Sequence, residues 1–166
     1  MSAKHAILID GTIGVGKSTM AHELSRRFDG AFLDGDDFKA EGVPWYCSSL
    51  STCCRIRDAG ISALSEKAIL FIARPVRCLD WIYFKRHFQR QNIRVFSIGL
   101  QAGLANITHE GRGRSFSANE LDRMAVMIRE GYGARPYSDI HLRTDQHDIK
   151  DTAALASRKL RQLLAG

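Results

Sequence analysis

The chain has 166 residues, of which 45% are hydrophobic and 25% charged, and its formal net charge is +6. These values indicate a single globular domain with a sizeable core. No apolar run is long enough for a membrane helix and no signal segment is recognisable, so we expect a cytoplasmic protein without membrane contact. The basic excess favours anionic partners, and nucleotide phosphates suffice to explain it because no nucleic-acid-binding motif is present.

The first elements along the chain are a strand, a glycine-rich loop and a helix. Residues 5–10 are apolar and β-prone, residues 11–18 read Gly-Thr-Ile-Gly-Val-Gly-Lys-Ser, and residues 17–28 have apolar side chains at helical spacing. The loop matches G-x-x-x-x-G-K-S/T, whose backbone amides surround nucleotide phosphates; Lys17 would reach the β- and γ-phosphates of ATP and Ser18 would ligate Mg²⁺. The predicted nucleotide-binding residues are Gly11, Thr12, Ile13, Gly14, Val15, Gly16, Lys17, Ser18 and Thr19.

An acidic turn follows the second predicted strand, residues 31–34. Asp34, Asp36 and Asp37 lie within four residues and would repel one another without a cation or a partner. One carboxylate can hold Mg²⁺, and another can accept the proton of a substrate hydroxyl as that oxygen attacks the γ-phosphate. Asp10, which directly precedes the glycine-rich loop, either contributes to the metal shell or caps the turn.

Helices and strands alternate through the rest of the chain. We predict strands over 68–73, 93–98 and 139–144, helices over 48–67, 78–91, 117–131 and 149–164, and irregular structure over 35–47. Ser117 and Glu120 have the spacing of a helix capping box. The alternation predicts an α/β fold with a central parallel sheet of about five strands and helices on both faces. Ligands of such sheets bind at the carboxyl ends of the strands.

Several arginines are candidates for contact with phosphates or substrate. Residues 111–114 read Gly-Arg-Gly-Arg, the composition of a closing lid, and phosphoryl transfer depends on such positive charges. Others could clamp an anionic or polyhydroxylated substrate, and for each of them a solvated surface role is the alternative. These others are Arg55, Arg57, Arg74, Arg77, Arg129 and Arg135. The third predicted strand ends in Ala-Arg-Pro without a carboxylate, which argues against motor and GTPase types.

In combination, the phosphate loop, the Asp-x-Asp turn, the arginine-bearing segment and the terminal strand–turn–helix resemble the shikimate kinase and gluconate kinase branch of the P-loop small-molecule kinases. Chloramphenicol phosphotransferase-like and nucleoside monophosphate kinase-like proteins are near relatives of that group. The resemblance covers most of the chain. It implies one three-layer P-loop domain over residues 1–166, with an arginine-bearing lid at about 108–118 and a substrate-binding region at about 35–60.

The same resemblance implies particular roles. Ser18 and Asp34 would hold Mg²⁺, and Asp34 and Asp36 would contact the substrate. The implied catalytic residues are Lys17, Asp36, Arg112 and Arg114. Either of the two arginines can correspond to the lid arginine of the family. The implied substrate-binding arginines are Arg57 and Arg135, with Arg129 as the alternative to Arg135, and we add Arg74 from its place after the third strand.

The leading hypothesis is an ATP- and Mg²⁺-dependent phosphotransferase that moves the γ-phosphate to a hydroxyl of a small molecule. Shikimate kinases have a triple-glycine turn after the third strand, whereas residues 73–77 here read Ala-Arg-Pro-Val-Arg, so the sequence does not indicate shikimate itself. The alternatives are a nucleoside or nucleotide kinase and a nucleotide-dependent regulatory binding module. The sequence does not indicate an oligomeric state.

Overall fold

Five parallel strands form the centre of the protein. A computed structural model describes residues 3–109 and 113–166, leaving aside the side chains of residues 45 and 46. In this part of the chain the strand order is β2-β3-β1-β4-β5, and each neighbouring pair runs parallel. The strands are β1 (Lys4–Asp10), β2 (Ala31–Asp34), β3 (Ile69–Ala73), β4 (Ile93–Gln101) and β5 (Ile140–Arg143).

Helices cover both faces of this sheet. They are α1 (Lys17–Arg27), α2 (Trp45–Glu66), α3 (Cys78–Gln89), α4 (Leu104–Ile107), α5 (Ala118–Arg129) and α6 (Ile149–Ala165), and a 3₁₀ turn spans Gly35–Phe38. Helices α1, α4, α5 and α6 pack on one face, and α2 and α3 pack on the other. The predicted three-layer α/β fold is therefore confirmed. None of the described helices is both long enough and apolar enough to span a membrane.

The central strand β1 shows why the strands are continuously apolar. Ile7 and Ile9 join the core beneath α1 and α6, whereas Ala6 and Leu8 join the core beneath α2 and α3. All four side chains are fully buried, because the central strand of a parallel sheet has strands on both sides and helices on both faces. Burial of an isoleucine or leucine side chain stabilises the fold by about 1.5–3 kcal/mol.

The structure differs from the predicted elements by more than two residues at three places. Helix α2 begins at Trp45 instead of residue 48, because Pro44 accepts the first helical hydrogen bonds, from the amides of Cys47 and Ser48. Strand β4 continues to Gln101 instead of residue 98, because its last four residues pair with β5. The short helix α4 was not predicted at all. The capping box of Ser117 and Glu120 is confirmed at the start of α5.

Candidate functional site

A cleft of about 820 Å³ opens at the edge of the sheet where the strands end. Parallel sheets bind ligands at this edge, because the loops that follow the strands converge there. The cleft brings together the glycine-rich loop, the acidic turn, the end of β3 and the segment before α5. The lining residues that matter below are Gly14, Lys17, Ser18, Asp34, Asp36, Arg74, Arg114, Phe116 and Thr144.

The glycine-rich loop has the conformation of a phosphate cradle. Gly14 and Gly16 have φ values of +74° and +102°, in the left-handed region that favours glycine. Successive amides in such a conformation form an anion-binding concavity. Lys17 Nζ donates to Thr12 O at 2.7 Å, and Thr144 Oγ1 donates to Val15 O at 3.0 Å. The loop is thus ordered by its own lysine and by the segment after β5.

Lys17 lies in an environment that disfavours its protonated, charged form. Burial lowers the pKa of Lys17 to about 8, and the negative charges of Asp10, Asp36 and Asp34 oppose this shift. A phosphate bound in the cradle would act in the same direction as these carboxylates. The lysine is therefore suited to gain its full charge when an anion enters the loop.

Asp10 lies under the loop and holds three segments together. Its side chain is fully buried; Oδ1 accepts the Val76 amide at 2.7 Å and Oδ2 accepts the Gly133 amide at 3.0 Å. Burial raises the pKa of Asp10, while hydrogen bonds from the backbone amides of Gly133, Val76 and Gly11 oppose the rise. Because both oxygens accept backbone amides, the turn-capping interpretation agrees with this arrangement better than the metal-shell interpretation.

Gly133 can approach β4 closely only because it has no side chain. A β-carbon on Gly133 would lie 2.0 Å from Leu100 O, and the residue has a φ of +79°. Any other residue would therefore collide with the strand and also adopt a strained backbone conformation. This glycine places its amide above the end of β1, where Asp10 accepts it.

The two carboxylates of the acidic turn lie on the cleft wall. Asp34 Oδ1 accepts the amide of Asp36 at 3.0 Å and so caps the 3₁₀ turn. The Asp36 side chain is 69% exposed, and its Oδ1 lies 2.7 Å from Lys39 Nζ. Ser18, at the start of α1, is exposed on the same cleft. The structure therefore brings Ser18, Asp34 and Asp36 together as the sequence predicts.

This donor set suits Mg²⁺ better than a metal held entirely by protein. Within residues 3–109 and 113–166, no group of three or more His, Cys, Asp or Glu side chains could hold a metal ion. Magnesium is usually bound by one or two protein oxygens together with substrate phosphates and water. A hydroxyl from Ser18 and a carboxylate from Asp34 beside a phosphate cradle fit that pattern.

Arg74 lines the cleft but is held from behind by buried groups. Its Nη1 donates to Cys53 Sγ at 3.2 Å, and its Nη2 lies 3.5 Å from Asp80 Oδ2. Burial disfavours the charged form of Asp80, but the hydrogen bond from Arg77 and the charge of Arg74 outweigh it and lower the pKa of Asp80. Arg77 also donates to Ser49. Sequence reasoning missed Asp80, whose carboxylate accepts the backbone amide of Arg77 at 3.1 Å at the start of α3.

The other predicted substrate-binding arginines lie in different surroundings. Arg57 Nη1 donates to Tyr83 OH at 2.8 Å and Arg57 Nη2 lies 2.7 Å from Asp58 Oδ1, so this side chain lies along α2 and α3. Arg135 stacks on Tyr132, with 4.4 Å from Cζ to the ring centre, and its Nε is buried without a hydrogen-bond partner in the described part of the chain. The structure does not bring Arg57 to the phosphate loop.

The predicted lid is described at residues 108–109 and from residue 113 onward. Arg114 lines the cleft, with its Nη2 3.2 Å from Glu120 Oε1 and its guanidinium 4.9 Å from the centre of the Phe116 ring. Arg112 lies outside the described residues, and its role stays a prediction. Sequence reasoning missed Phe116, whose signal is its position directly before the Ser117 capping box.

A second, more open cavity of about 570 Å³ lies between α3 and β4. Trp81, Lys85, Arg94 and Tyr137 are among its lining residues, and Trp81 stacks on Tyr137 with 4.9 Å between the ring centres. None of the residues predicted from the sequence as site residues lines it. The candidate site is therefore the cleft at the carboxyl edge of the sheet.

Comparison with known proteins finds similar structures but no similar sequences. No family model and no curated protein sequence matches the chain. A gluconokinase from Sinorhizobium meliloti 1021 superposes with a TM-score of 0.75 at 12% identity, covering 99% of this chain and 96% of that one. An APS kinase from Mycobacterium tuberculosis in complex with AMPPNP and APS gives 0.61 at 14% identity, covering 97% and 99%.

A shikimate kinase from Acinetobacter baumannii in complex with shikimate gives a TM-score of 0.58 at 18% identity, covering 98% of this chain and 93% of that one. The chain has the fold of the P-loop small-molecule kinases, as the sequence resemblance predicted. At these identities the likeness concerns the fold, and the chemistry has to be argued from the residues of the cleft.

Proposed function

We propose that the chain is a phosphotransferase that uses ATP and Mg²⁺ and moves the γ-phosphate to a hydroxyl of a small molecule. The observation that carries this proposal is that one cleft contains the cradle lysine Lys17, the hydroxyl of Ser18 and the exposed carboxylate of Asp36. Phosphoryl transfer gains most of its rate from positioning and charge stabilisation, and these three groups supply both. The solved APS kinase of the same fold, which holds AMPPNP and APS, supports the proposal.

The loop would bind the phosphate chain of ATP. The amides around Gly14 and Gly16 would surround the phosphates, and Lys17 would exchange its bond to Thr12 for the β- and γ-phosphates. Ser18 and Asp34 would hold Mg²⁺, which neutralises charge that develops on the phosphate oxygens. Gly11 to Thr19 remain the proposed nucleotide-binding residues.

Asp36 would act on the acceptor. Its carboxylate would take the proton of the acceptor hydroxyl while that oxygen forms a bond to the terminal phosphorus and the bond to the ADP oxygen breaks. Lys39, which now pairs with Asp36 at 2.7 Å, would give way to the hydroxyl. Such an ion pair between exposed side chains contributes only about 0.2–1 kcal/mol, so breaking it costs little.

Positive charge around the cleft would stabilise the transferred group and an anionic acceptor. Arg114, and in the predicted lid Arg112, would act on the phosphoryl group, whereas Arg74 would face the acceptor. Arg135, which is not among the residues that line the cleft, remains a candidate from the sequence resemblance. Arg57 would need to leave Asp58 and Tyr83 to reach a substrate, and we keep it as a candidate from the sequence resemblance alone. We also propose that the protein is cytoplasmic, because the cytoplasm supplies the ATP and Mg²⁺ that this reaction requires.

The test is a screen for acceptor-dependent ADP formation. The purified chain is incubated with Mg²⁺ and ATP against sugar acids, shikimate-like acids, aminocyclitols, antibiotics and nucleosides, and products are analysed by mass spectrometry. We expect one non-nucleoside hydroxyl compound to raise ADP formation and to gain a phosphoryl group. Lys17→Ala and Asp36→Ala should each abolish this transfer while the fold persists.

The neighbouring Asp37→Ala variant is the matched control and should retain transfer, because Asp37 is exposed and does not line the cleft. Full transfer by Asp36→Ala would exclude the role of that carboxylate. A nucleoside as the phosphorylated compound would favour the nucleoside kinase alternative. ATP binding without turnover in any mixture would favour the regulatory module.

A further inference from the structure

The ring of Phe116 packs directly against the phosphate loop. A β-carbon on Gly14 would lie 2.7 Å from Phe116 Cζ and 2.9 Å from Ile107 Cγ2, so only hydrogen separates the Gly14 Cα from these two side chains. Ile107 is 1% exposed, and Phe116 is half-buried and lines the cleft. The loop is thus closed at Gly14 by apolar atoms, and the Phe116 ring lines the same cleft as Lys17 and Ser18.

The ring is held in place by the start of α5. Phe116 directly precedes the N-cap residue Ser117. In a hydrophobic staple, a residue at this position packs against the fourth residue of the helix, which here is Leu121. Both side chains pack against the core that contains α1 and α6. Arg114 lies over the ring and pairs with Glu120, which also completes the capping box. The Arg114 contact with the ring, the Arg114–Glu120 ion pair, the capping box and the packing on the core therefore hold the ring beside the loop.

An apolar wall beside a phosphate cradle has a chemical consequence. Water competes with the acceptor hydroxyl for the terminal phosphorus: its oxygen forms the new bond, the bond to the ADP oxygen breaks and the water proton passes to solvent. Exclusion of water from a closed site suppresses such side reactions and strengthens the electrostatic interactions within it. A phenyl ring offers no hydrogen bond by which a water molecule could be held against Gly14.

We propose that Phe116 is the water-excluding cap of the phosphate loop, and that it directs the phosphoryl group to an organic hydroxyl by keeping water away from Gly14. This inference rests on the proposed phosphotransferase function. It assigns Phe116 no contact with reacting atoms. A purely structural role would lower stability when the ring is removed but would not change how ATP is partitioned between transfer and hydrolysis.

The experiment measures ADP formation from Mg²⁺ and ATP without any acceptor, together with ATP affinity by calorimetry. The variants are Phe116→Leu, Phe116→Val and Phe116→Ala. We expect the hydrolysis rate at saturating ATP to rise as the side chain shrinks, by roughly tenfold for Phe116→Ala, which corresponds to about 1.4 kcal/mol in the barrier. The ATP affinity should change by less than roughly threefold, because Phe116 offers the phosphates no polar group.

The matched control is Ile128→Ala, which removes a partly exposed apolar side chain from the other end of α5. It should hydrolyse ATP at the wild-type rate. A hydrolysis rate that stays flat across the Leu, Val and Ala series, in variants that bind ATP, would overturn the cap even if acceptor phosphorylation is intact. If the wild-type chain binds no ATP, that result overturns the proposed phosphotransferase function, and the role of Phe116, which depends on it, is overturned as well. The graded series keeps the test decisive if the alanine variant does not fold.

Discussion

The carboxylate of Asp10 accepts the backbone amide of Gly133, a residue 123 positions further along the chain, at 3.0 Å. The same carboxylate accepts the amide of Val76 at 2.7 Å. One buried side chain thereby joins the start of the phosphate loop, the turn after β3 and the turn after α5. The two turns precede Arg77 and Arg135, so the anchor also determines where candidate substrate arginines stand relative to Lys17.

Replacing Asp10 by asparagine should destabilise the fold. The side-chain NH₂ of Asn would face a backbone N–H that now donates to an oxygen, leaving a buried donor without a partner. Such a loss costs about 1–3 kcal/mol in the free energy of unfolding, which urea denaturation measures. Asp37→Asn, on an exposed side chain, is the control and should change this free energy by about 0.5 kcal/mol or less. Equal stability of Asp10→Asn and wild type would contradict the anchor.

Asp80→Ala should lower the free energy of unfolding more than most substitutions outside the apolar core. Asp80 is 4% exposed at its side chain and pairs with Arg77 at 2.8 Å and Arg74 at 3.5 Å. Removing it leaves the Arg74 guanidinium buried with its ion partner lost, at a cost of about 3–5 kcal/mol in the free energy of unfolding. Thermal or urea unfolding provides the measurement. The comparison is Asp58→Ala, which removes an exposed partner of Arg57 and should cost about 1 kcal/mol or less.

ATP binding should take up protons at alkaline pH. Because the pKa of Lys17 is lowered to about 8, the lysine of the free chain is half-protonated at that pH, and bound phosphate restores its charge. Binding at pH 8 should therefore absorb roughly half a proton, and the uptake should vanish well below pH 8. Calorimetric titrations in buffers of different ionisation enthalpy measure it. Lys159→Gln, on an exposed lysine of α6 that does not line the cleft, should keep the uptake. ATP binding without uptake at pH 8 would show that the pKa of Lys17 is not lowered.

The Asp145 carboxylate should stabilise the fold except in strong acid. It accepts from Arg143, from the Gly103 amide at 3.0 Å and from Asn106 Nδ2 at 3.0 Å. The hydrogen bonds of Arg143 come first among the interactions that hold the pKa of Asp145 well below its usual 3.8. A carboxylate with a lowered pKa in the folded state stabilises fully above its ordinary pKa and less as pH falls through the lowered value.

Asp145→Asn should consequently lower the free energy of unfolding by about 1–3 kcal/mol near pH 7, and the difference from wild type should shrink as pH falls below about 4. Urea denaturation across this pH range checks both the size and the sign. Asp122→Asn, on an exposed residue of α5, should show neither effect. A difference that grew towards low pH would refute the lowered pKa.

Most of the secondary structure was predictable because its causes are local. Strands β1, β3 and β4 are continuous apolar runs, and the start of α5 carries its capping box in four consecutive positions. Helix α2 begins earlier than predicted because proline is typical of loops. Only the structure shows that the Pro44 carbonyl accepts the amides of Cys47 and Ser48. Helix α4 is four residues long and has no pattern that could be separated from a turn.

The candidate site was predictable in part. Lys17, Ser18, Asp34 and Asp36 meet in the cleft as expected, because they follow two strands that end at the same edge of the sheet. The arginines were harder, since a long charged side chain can reach in several directions. Only the packed structure shows Arg57 beside Tyr83 and Arg74 beside Asp80.

The sequence by itself determined the phosphate loop, the acidic turn and the alternation of strands and helices, because glycine conformation, charge spacing and apolar periodicity act between near neighbours. Only the tertiary structure decided that Asp10 accepts the amides of Val76 and Gly133, and that Phe116 covers Gly14. These pairs are far apart in the chain and become neighbours only after the sheet has formed and the helices have packed on it. The buried carboxylate and the apolar ring then acquire environments that their own neighbours in sequence do not provide.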